Sequence, residues 1–248
     1  MKLDFDTDNG IGTRATLGAI VLETDESLEP EFARMIPGDG IALYHSRIPM
    51  VPEIRPDTLA RMEQDLPVSA RMFPSALDFD VIGYGCTSAS TVIGSDRVAR
   101  AVQTVYPNAK VTNPLAAVIA AGHALGAQRL GFITPYVPEV SNRMRGRLEE
   151  AGFEFGAFGS FEEGDDRVVA RITERSIMTA ALKLAQYNQF DAMFLSCTNL
   201  RGLRVIPEFE AETGIPMLTS NQALAWHMLR LAGVTDPRPE FGKLFTVS

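Results

Sequence analysis

Short apolar runs alternate with stretches of helical periodicity from one end of the chain to the other. The runs LGAIVL (17–22), FDVIGYGC (79–86) and FDAMFLSC (190–197) are apolar almost throughout, as expected of strands buried on both faces. Apolar residues recur at helical spacing in stretches such as TLARMEQDLPVSARMF (58–73) and RSIMTAALKLAQYN (175–188). This alternation predicts an α/β fold with parallel sheets that are covered by helices.

A weak internal repeat divides this pattern into two halves. In each half a Phe-Asp pair precedes a strand, and the strand ends in Cys-Thr, once at Cys86 and once at Cys197. We therefore predict two pseudo-symmetric lobes, each a parallel sheet of about four strands flanked by helices. Residues 1–115 and 222–248 are assigned to the N-terminal lobe and residues 116–221 to the second lobe. Because ligands bind beyond the carboxyl ends of parallel strands, the cleft between the lobes is the expected active site.

Composition narrows the class of protein. Of the 248 residues, 46% are hydrophobic and 22% are charged, which is typical of a globular protein. The net charge of −8 and the scattered Lys and Arg residues disfavour a nucleic-acid partner, because phosphate binding needs clustered basic side chains. No apolar run is long enough to cross a bilayer, and the acidic N-terminal stretch is not typical of a signal peptide. We therefore expect a cytoplasmic protein with free thiols and without a membrane partner, and homo-oligomer formation is left open.

The chain has two cysteines, and both lie in the repeated pattern. A thiolate is a nucleophile and a base, and its pKa falls at a helix N-terminus, where a strand-to-helix turn would place each of them. Backbone N–H groups and hydroxyl side chains of such turns can hold a carboxylate or stabilise a developing enolate. Two opposed acid–base groups suit an isomerase or racemase, because each face of a planar intermediate needs its own proton carrier.

Other interpretations of the cysteines are open at this point. A free cysteine often acts as a small buried hydrophobic residue, although the equivalent positions of Cys86 and Cys197 argue against that for both. A zinc site is disfavoured, since the two cysteines lie 111 residues apart without a CxxC pattern, and we expect no metal and no cofactor. Decarboxylation of a malonate-like acid and non-catalytic binding of a small carboxylate are the alternative functions.

Three separated motifs resemble those of the Asp/Glu racemase superfamily, and within it the branch of maleate isomerase and arylmalonate decarboxylase. GYGCTSAS around Cys86 is similar to the first cysteine motif of that branch, and FLSCTNLR around Cys197 is similar to the second. GFITPYVPEV resembles a Thr-Pro-Tyr segment of the branch, whose tyrosine is Tyr136 here. The resemblance covers nearly the whole chain and implies two similar α/β lobes around a central cleft, without a cofactor.

The resemblance also implies roles for individual residues. Cys86 would act as nucleophile or base on one face of a substrate, and Cys197 as acid or base on the other. Tyr136 would donate a hydrogen bond to a substrate carboxylate. The other implied carboxylate ligands are the residues that follow the two cysteines, namely Thr87, Ser88, Thr198 and Asn199. Because the decarboxylases work with a single cysteine at the second position, Cys86 favours an isomerase or racemase.

One stretch departs from the maleate isomerase pattern. Those enzymes carry a carboxylate-binding Asn before a Glu-Pro-Glu segment, whereas IVLETDESLEPE (20–31) has Asp25 at that position, and EEGDDRVVARI (162–172) has acidic residues where another Asn is expected. Like-charge repulsion would disfavour a dianion such as maleate. Asp25 is therefore predicted to contact a substrate that bears an amine as well as a carboxylate, unless it only caps the helix that follows. VLETDES is also similar to the ectoine-utilisation members of the branch.

Overall fold

The computed structural model describes residues 1–186 and 189–247, which form two four-stranded parallel sheets, one after the other along the chain. The sheets consist of β1 (Ala15–Leu22), β2 (Ile41–Ile48), β3 (Val81–Gly85), β4 (Lys110–Thr112), β5 (Arg129–Thr134), β6 (Glu154–Ser160), β7 (Ala192–Leu195) and β8 (Met217–Thr219). Their strand orders are β2-β1-β3-β4 and β6-β5-β7-β8, so the two sheets have the same topology. The predicted fold of two similar α/β lobes is confirmed.

Helices connect the strands and flank both sheets. They are α1 (Leu28–Met35), α2 (Pro56–Ala70), α3 (Thr87–Ile93), α4 (Ser95–Gln103), α5 (Pro114–Ala124), α6 (Pro138–Glu150), α7 (Asp166–Val169), α8 (Glu174–Ala185), α9 (Val205–Thr213) and α10 (Ser220–Leu231). The helix predicted over 175–188 is observed as α8, and its last two residues lie outside the described residues. In the described part of the chain, no helix combines the length and the apolar character needed to span a bilayer.

Glycines in β3 bring two helices close to the strand that leads into the first cysteine. A Cβ atom at Gly83 would lie 2.5 Å from Sδ of Met228 in α10, and a Cβ atom at Gly85 would overlap the side chain of Leu28 in α1. The small residues therefore let Leu28 of α1 and Met228 of α10 pack on the strand that leads into Cys86. Helix α10 also packs on α1 and α5. The predicted division of the chain at residues 115 and 221 stays a prediction.

The segment after β2 crosses from the first lobe to the second. The Ile54 N–H donates to the carbonyl of Gly164 (3.0 Å), and the Asp166 N–H donates to the carbonyl of Pro52 (3.1 Å). Main-chain hydrogen bonds thus tie the two lobes together beside the ends of their central strands, where the predicted site lies.

Candidate active site

Both cysteines lie where the two lobes meet. Cys86 directly follows β3 and Cys197 follows β7, and these strands hold equivalent places in their sheets. The Thr198 hydroxyl donates to the carbonyl oxygen of Gly85 across the junction (3.3 Å). The two Cys-Thr pairs therefore converge, as the sequence predicts, and both thiols are buried, with Cys86 at 1% and Cys197 at 5% exposure.

One hydroxyl group links the two cysteine segments. The Thr87 hydroxyl donates to Oγ of Ser220 (2.9 Å), and the Cys197 N–H donates to the same oxygen (3.0 Å). Ser220 is the first residue of α10, and it was not among the predicted site residues. The only sequence signal for it is its place at a strand-to-helix junction, like that of Cys86.

The Cys86 thiol caps the N-terminus of α3. Its Sγ accepts the N–H of Ala89 (3.3 Å) and lies 3.6 Å from Oγ of Ser88. Burial nevertheless raises the pKa of this thiol to about 11, although the Ala89 N–H, the Ser88 hydroxyl and the Tyr84 hydroxyl lower it. The expected fall of the pKa at a helix N-terminus is therefore wrong for Cys86, because the cost of removing a thiolate from water outweighs the hydrogen bonds.

The Cys197 thiol is still harder to ionise. Burial raises its pKa well above the usual range, and the negative charge of Asp166 adds to this, while a hydrogen bond from the Tyr136 hydroxyl opposes it. Tyr136 lies close enough to both thiols that a charge on Cys197 or on Cys86 raises the pKa of its own hydroxyl. The buried tyrosine therefore lies beside both reactive groups.

The backbone of Cys197 adopts φ = 115°, in the left-handed region that favours glycine. For a residue with a side chain, such a conformation costs about 1–3 kcal/mol and is found mainly at functional sites. The Asn199 N–H donates to Sγ of Cys197 (3.4 Å) and the N–H of Cys197 is held by Ser220, so the turn is fixed from both sides. The strained turn places the thiol at the junction rather than within the second lobe.

Asp25 combines a helix-capping role with an unpaired oxygen. Its Oδ1 accepts the N–H groups of Ser27 and Leu28 (2.8 Å each) at the start of α1. This is the helix-capping role that the sequence left open as an alternative to substrate binding. Its Oδ2 is buried and has no hydrogen-bond partner among the described residues. Burial raises the pKa of Asp25, against the lowering effects of the Leu28 and Ser27 N–H groups, the Thr198 hydroxyl and the charge of Arg47. The predicted contact of Asp25 with a substrate stays a prediction.

A second buried carboxylate, Asp166, lies beside Asp25. It accepts hydrogen bonds from the Thr24 hydroxyl (2.6 Å) and from Nδ2 of Asn199 (3.0 Å). Burial, assisted by the nearby charge of Asp25, raises the pKa of Asp166 to about 6. The acidic stretch 162–172 pointed to this region, but not to the particular residue.

The side chain of Asn199 is occupied by protein groups of both lobes. Its Oδ1 accepts the N–H of Glu26 (2.9 Å), and its Nδ2 donates to the carbonyls of Thr24 and Asp166 (3.2 Å each) as well as to the Asp166 carboxylate. The Ser27 hydroxyl donates to the carbonyl of Asn199 (3.0 Å). Asn199 therefore positions the two acidic residues, and its predicted contact with a substrate stays a prediction.

A third buried carboxylate is hydrogen-bonded to the loop that follows the second cysteine. Glu31 in α1 accepts the Leu203 N–H (2.9 Å) and Nδ2 of Asn221 (2.8 Å). The same Nδ2 donates to the carbonyl of Thr198 (2.7 Å). Burial raises the pKa of Glu31 to about 7, and the charge of Asp25 contributes to this shift.

The raised pKa of Glu31 predicts a pH-dependent stability that Glu31→Gln removes. The folded state binds this proton more tightly than the unfolded state, so the contribution is present below about pH 4.5 and is lost as the pH rises through 7. Between pH 5 and 8, the free energy of unfolding should fall by about 2 kcal/mol more for the parent protein than for Glu31→Gln. Urea denaturation at both pH values measures this difference, and parallel pH dependences would contradict the assignment.

All eight predicted site residues lie in or beside this hydrogen-bonded junction, namely Asp25, Cys86, Thr87, Ser88, Tyr136, Cys197, Thr198 and Asn199. The junction can hold an anion through hydroxyl and N–H groups, and it presents two thiols for proton transfer or for attack on carbon. It also contains carboxylates, which a site for anions alone would not need.

Comparisons with known proteins agree on one family. The family model described as arylmalonate decarboxylase matches residues 102–245. The chain is 27% identical to a maleate isomerase of Nocardia farcinica over 92% of this chain and 94% of the relative. It is 30% identical to an arylmalonate decarboxylase of Bordetella bronchiseptica over 53% of this chain and 56% of the relative.

A solved structure shows the same fold. It is that of the Nocardia farcinica maleate cis–trans isomerase, in a Cys-to-Ser mutant with a covalently bound succinylcysteine intermediate. Its TM-score is 0.84 at 26% identity, and the match covers 94% of this chain and 98% of that chain. The similarity to the Nocardia farcinica protein therefore extends over most of both lobes.

Proposed function

Because the chain belongs to the arylmalonate decarboxylase family, as the sequence motifs predict, we propose that it is a cofactor-independent isomerase or racemase whose two cysteines act at the carbon next to a carboxylate. The observation that carries this proposal is the convergence of Cys86 and Cys197 at one junction, with Tyr136 beside both thiols. The succinylcysteine in the related isomerase structure supports a role for cysteine in bonding to substrate carbon. Maleate isomerases among the relatives support a small carboxylate as the substrate.

The two thiols differ in a way that suggests their roles. Asp166 opposes the ionisation of both thiols, and donors oppose this effect at both, but the charge of Asp25 acts in addition on Cys197, whose pKa is raised further than that of Cys86. Cys86 is therefore the better candidate for the initial thiolate. We assign it the nucleophile or base role, with Cys197 starting as the thiol.

The proposed proton transfers balance within the thiol pair. The Cys86 thiolate removes a proton from the carbon next to the carboxylate, and the Cys197 thiol gives its proton to the opposite face of the planar intermediate. The charge that develops on the carboxylate oxygens is stabilised by the Tyr136 hydroxyl and by the main-chain N–H groups of Thr87 and Ser88. Cys86 ends as the thiol and Cys197 as the thiolate, so the pair can then catalyse the reverse reaction.

Decarboxylation is the second candidate, because the matching family model and the Bordetella relative bear that name. It requires only one proton donor after carbon dioxide leaves. The presence of Cys86 as well as Cys197 favours the isomerase. The other expectations, namely cofactor independence, cytoplasmic location, a possible homo-oligomer and the similarity to ectoine-utilisation proteins, stay predictions.

A purified sample in D₂O, without added cofactor, tests the proposed function. Maleate, arylmalonates and small amino acids are followed by proton NMR, and we expect isomerisation or deuterium incorporation next to a carboxylate. Carbon dioxide release that survives Cys86→Gly would instead support the decarboxylase. Absence of all reactions, together with native cysteines that iodoacetamide does not label, would support a non-catalytic binding protein.

A further inference from the structure

We propose that the substrate carries a protonated nitrogen beside its carboxylate, and that Asp25 and Asp166 bind this nitrogen together. This inference rests on the proposed function and names the substrate class of the same site. It requires that both carboxylates have an oxygen available to a ligand and that no basic side chain of the described residues is paired with them. It also requires that the reacting carbon lies near the bound nitrogen.

The first requirement is met most clearly at Asp25. Its Oδ1 is fully used by two N–H groups of α1, while Oδ2 is buried and accepts no hydrogen bond from any described residue. The nearby Thr198 hydroxyl lowers the pKa of Asp25, but its hydrogen bond runs to the carbonyl of Gly85 (3.3 Å). A buried carboxylate oxygen without a donor is costly, and natural proteins keep very few such atoms. A ligand N–H group would satisfy it.

Asp166 offers an oxygen in the same place. Among the described residues, both side-chain donors to its carboxylate, from Thr24 and Asn199, are directed to Oδ2, and Oδ1 accepts none. Asn199 also accepts the N–H of Glu26, next to Asp25, so it holds the two acidic segments at a fixed separation. One amide side chain therefore joins the two acidic segments, and we infer that an oxygen of each carboxylate reaches the same ligand nitrogen.

No basic side chain of the described residues forms an ion pair with these two carboxylates. Within residues 1–186 and 189–247, no Lys or Arg forms a salt bridge with Asp25 or Asp166. The charge of Arg47 acts on Asp25, but its guanidinium donates to the main-chain carbonyl of Asp25 (2.8 Å) and pairs with the Glu29 carboxylate (2.7 Å). A protonated amine would supply the missing positive charge, whereas a simple dicarboxylate would add two negative charges.

The bound nitrogen would lie close to the reacting carbon. Asn199 donates its N–H to Sγ of Cys197 (3.4 Å) and its Nδ2 to the Asp166 carboxylate (3.0 Å), so one residue links the acidic pair to the thiol pair. This arrangement fits an amino acid, or a derivative with a basic nitrogen, whose amine is on or next to the carbon that is deprotonated. The nitrogen keeps its protons throughout, while the carbon exchanges one proton between the two sulfur atoms.

Pairs of ligands that differ only by the ammonium group test this inference. The probes are aspartate against succinate, and 2-aminobutyrate against butyrate, measured by isothermal titration calorimetry with the full chain. We expect the amino member to bind at least tenfold more tightly in at least one pair. Asp25→Asn and Asp166→Asn should each reduce that preference at least tenfold, and the double variant should prefer the ligand without the amine.

The control removes a neighbouring charge without touching the site. Glu26 follows Asp25, but its exposed side chain pairs with Arg171, so Glu26→Gln should leave the preference unchanged. Circular dichroism confirms that each variant is folded, and Asn retains the oxygen that caps α1. The inference is overturned if no amino probe binds more tightly than its partner. It is also overturned if the Asn variants bind the amino ligand and its amine-free partner as tightly as the parent protein does. A neutral amide would then serve as well as the carboxyl group, so no carboxylate charge would be needed.

Binding preference and catalysis can fail separately. The same titrations are repeated in the double variant Cys86→Ser and Cys197→Ser, in which no proton transfer through thiols is possible. Preference for the amino ligand in this variant, without turnover in the parent protein, would support the inference and refute the proposed function. If substrates without an amine are turned over as efficiently as their amino counterparts, the proposed function is supported and the inference is overturned.

Discussion

Replacing either cysteine by serine is expected to lower kcat by at least about a thousandfold, because each thiol serves one face of the substrate and a hydroxyl is a far weaker acid and nucleophile. Cys86→Ser and Cys197→Ser are measured by deuterium incorporation from D₂O in place of the carbon-bound proton. Serine occupies nearly the same volume as cysteine, so the free energy of unfolding, measured with urea, should change much less than the rate.

The double variant provides a further test of the shared mechanism. If the thiols work as a pair, the double variant should be little slower in deuterium incorporation than either single variant, because the thiol that remains in a single variant already lacks its partner. Rates that fall by the product of the two single effects would indicate independent roles. Deuterium incorporation at near-normal rates in both single variants would refute the two-thiol mechanism.

Asn199→Ala is expected to reduce the free energy of unfolding by about 3 kcal/mol or more and to abolish turnover. The substitution leaves the part-buried Glu26 N–H without its acceptor and removes a donor from the buried Asp166, so the lobes lose the residue that joins them. Urea denaturation and the deuterium assay measure the two effects.

Asn142→Ala is the matched control for this substitution. Asn142 is exposed on α6, and its replacement should change the free energy of unfolding by less than about 0.5 kcal/mol. An Asn199→Ala protein as stable as the Asn142→Ala protein would contradict the structural role. Normal turnover in the Asn199 variant would show that the acidic pair needs no positioning by this amide.

The features that the sequence predicted best are those with a local pattern. Continuous apolar runs identify the central strands, and the repeated Cys-Thr pair marks their ends in both lobes. Helix α3 was not predicted, because its residues are buried on nearly every side and show no amphipathic period. Strand β4, with three residues, is too short to be distinguished from a turn.

The remaining parts of the site depend on contacts between distant residues. The hydrogen bond between Thr24 and Asp166 joins positions 142 residues apart, and nothing in either local stretch indicates its partner. Ser220 has an ordinary place at the start of a helix until the fold brings Thr87 to it. The pKa of Cys86 was wrongly expected to fall because the sequence indicates a strand-to-helix turn there, whereas burial is a property of the assembled lobes.

The single oxygen atom of Ser220 has a consequence for protein engineering. It holds both the Thr87 side chain and the main chain of Cys197, so the separation of the thiols is set outside the residues that would touch a substrate. Enlarging the site by trimming side chains would leave that separation unchanged. A variant library aimed at bulkier substrates therefore has to include Ser220, because moving the thiols apart requires a different link between the cysteine segments.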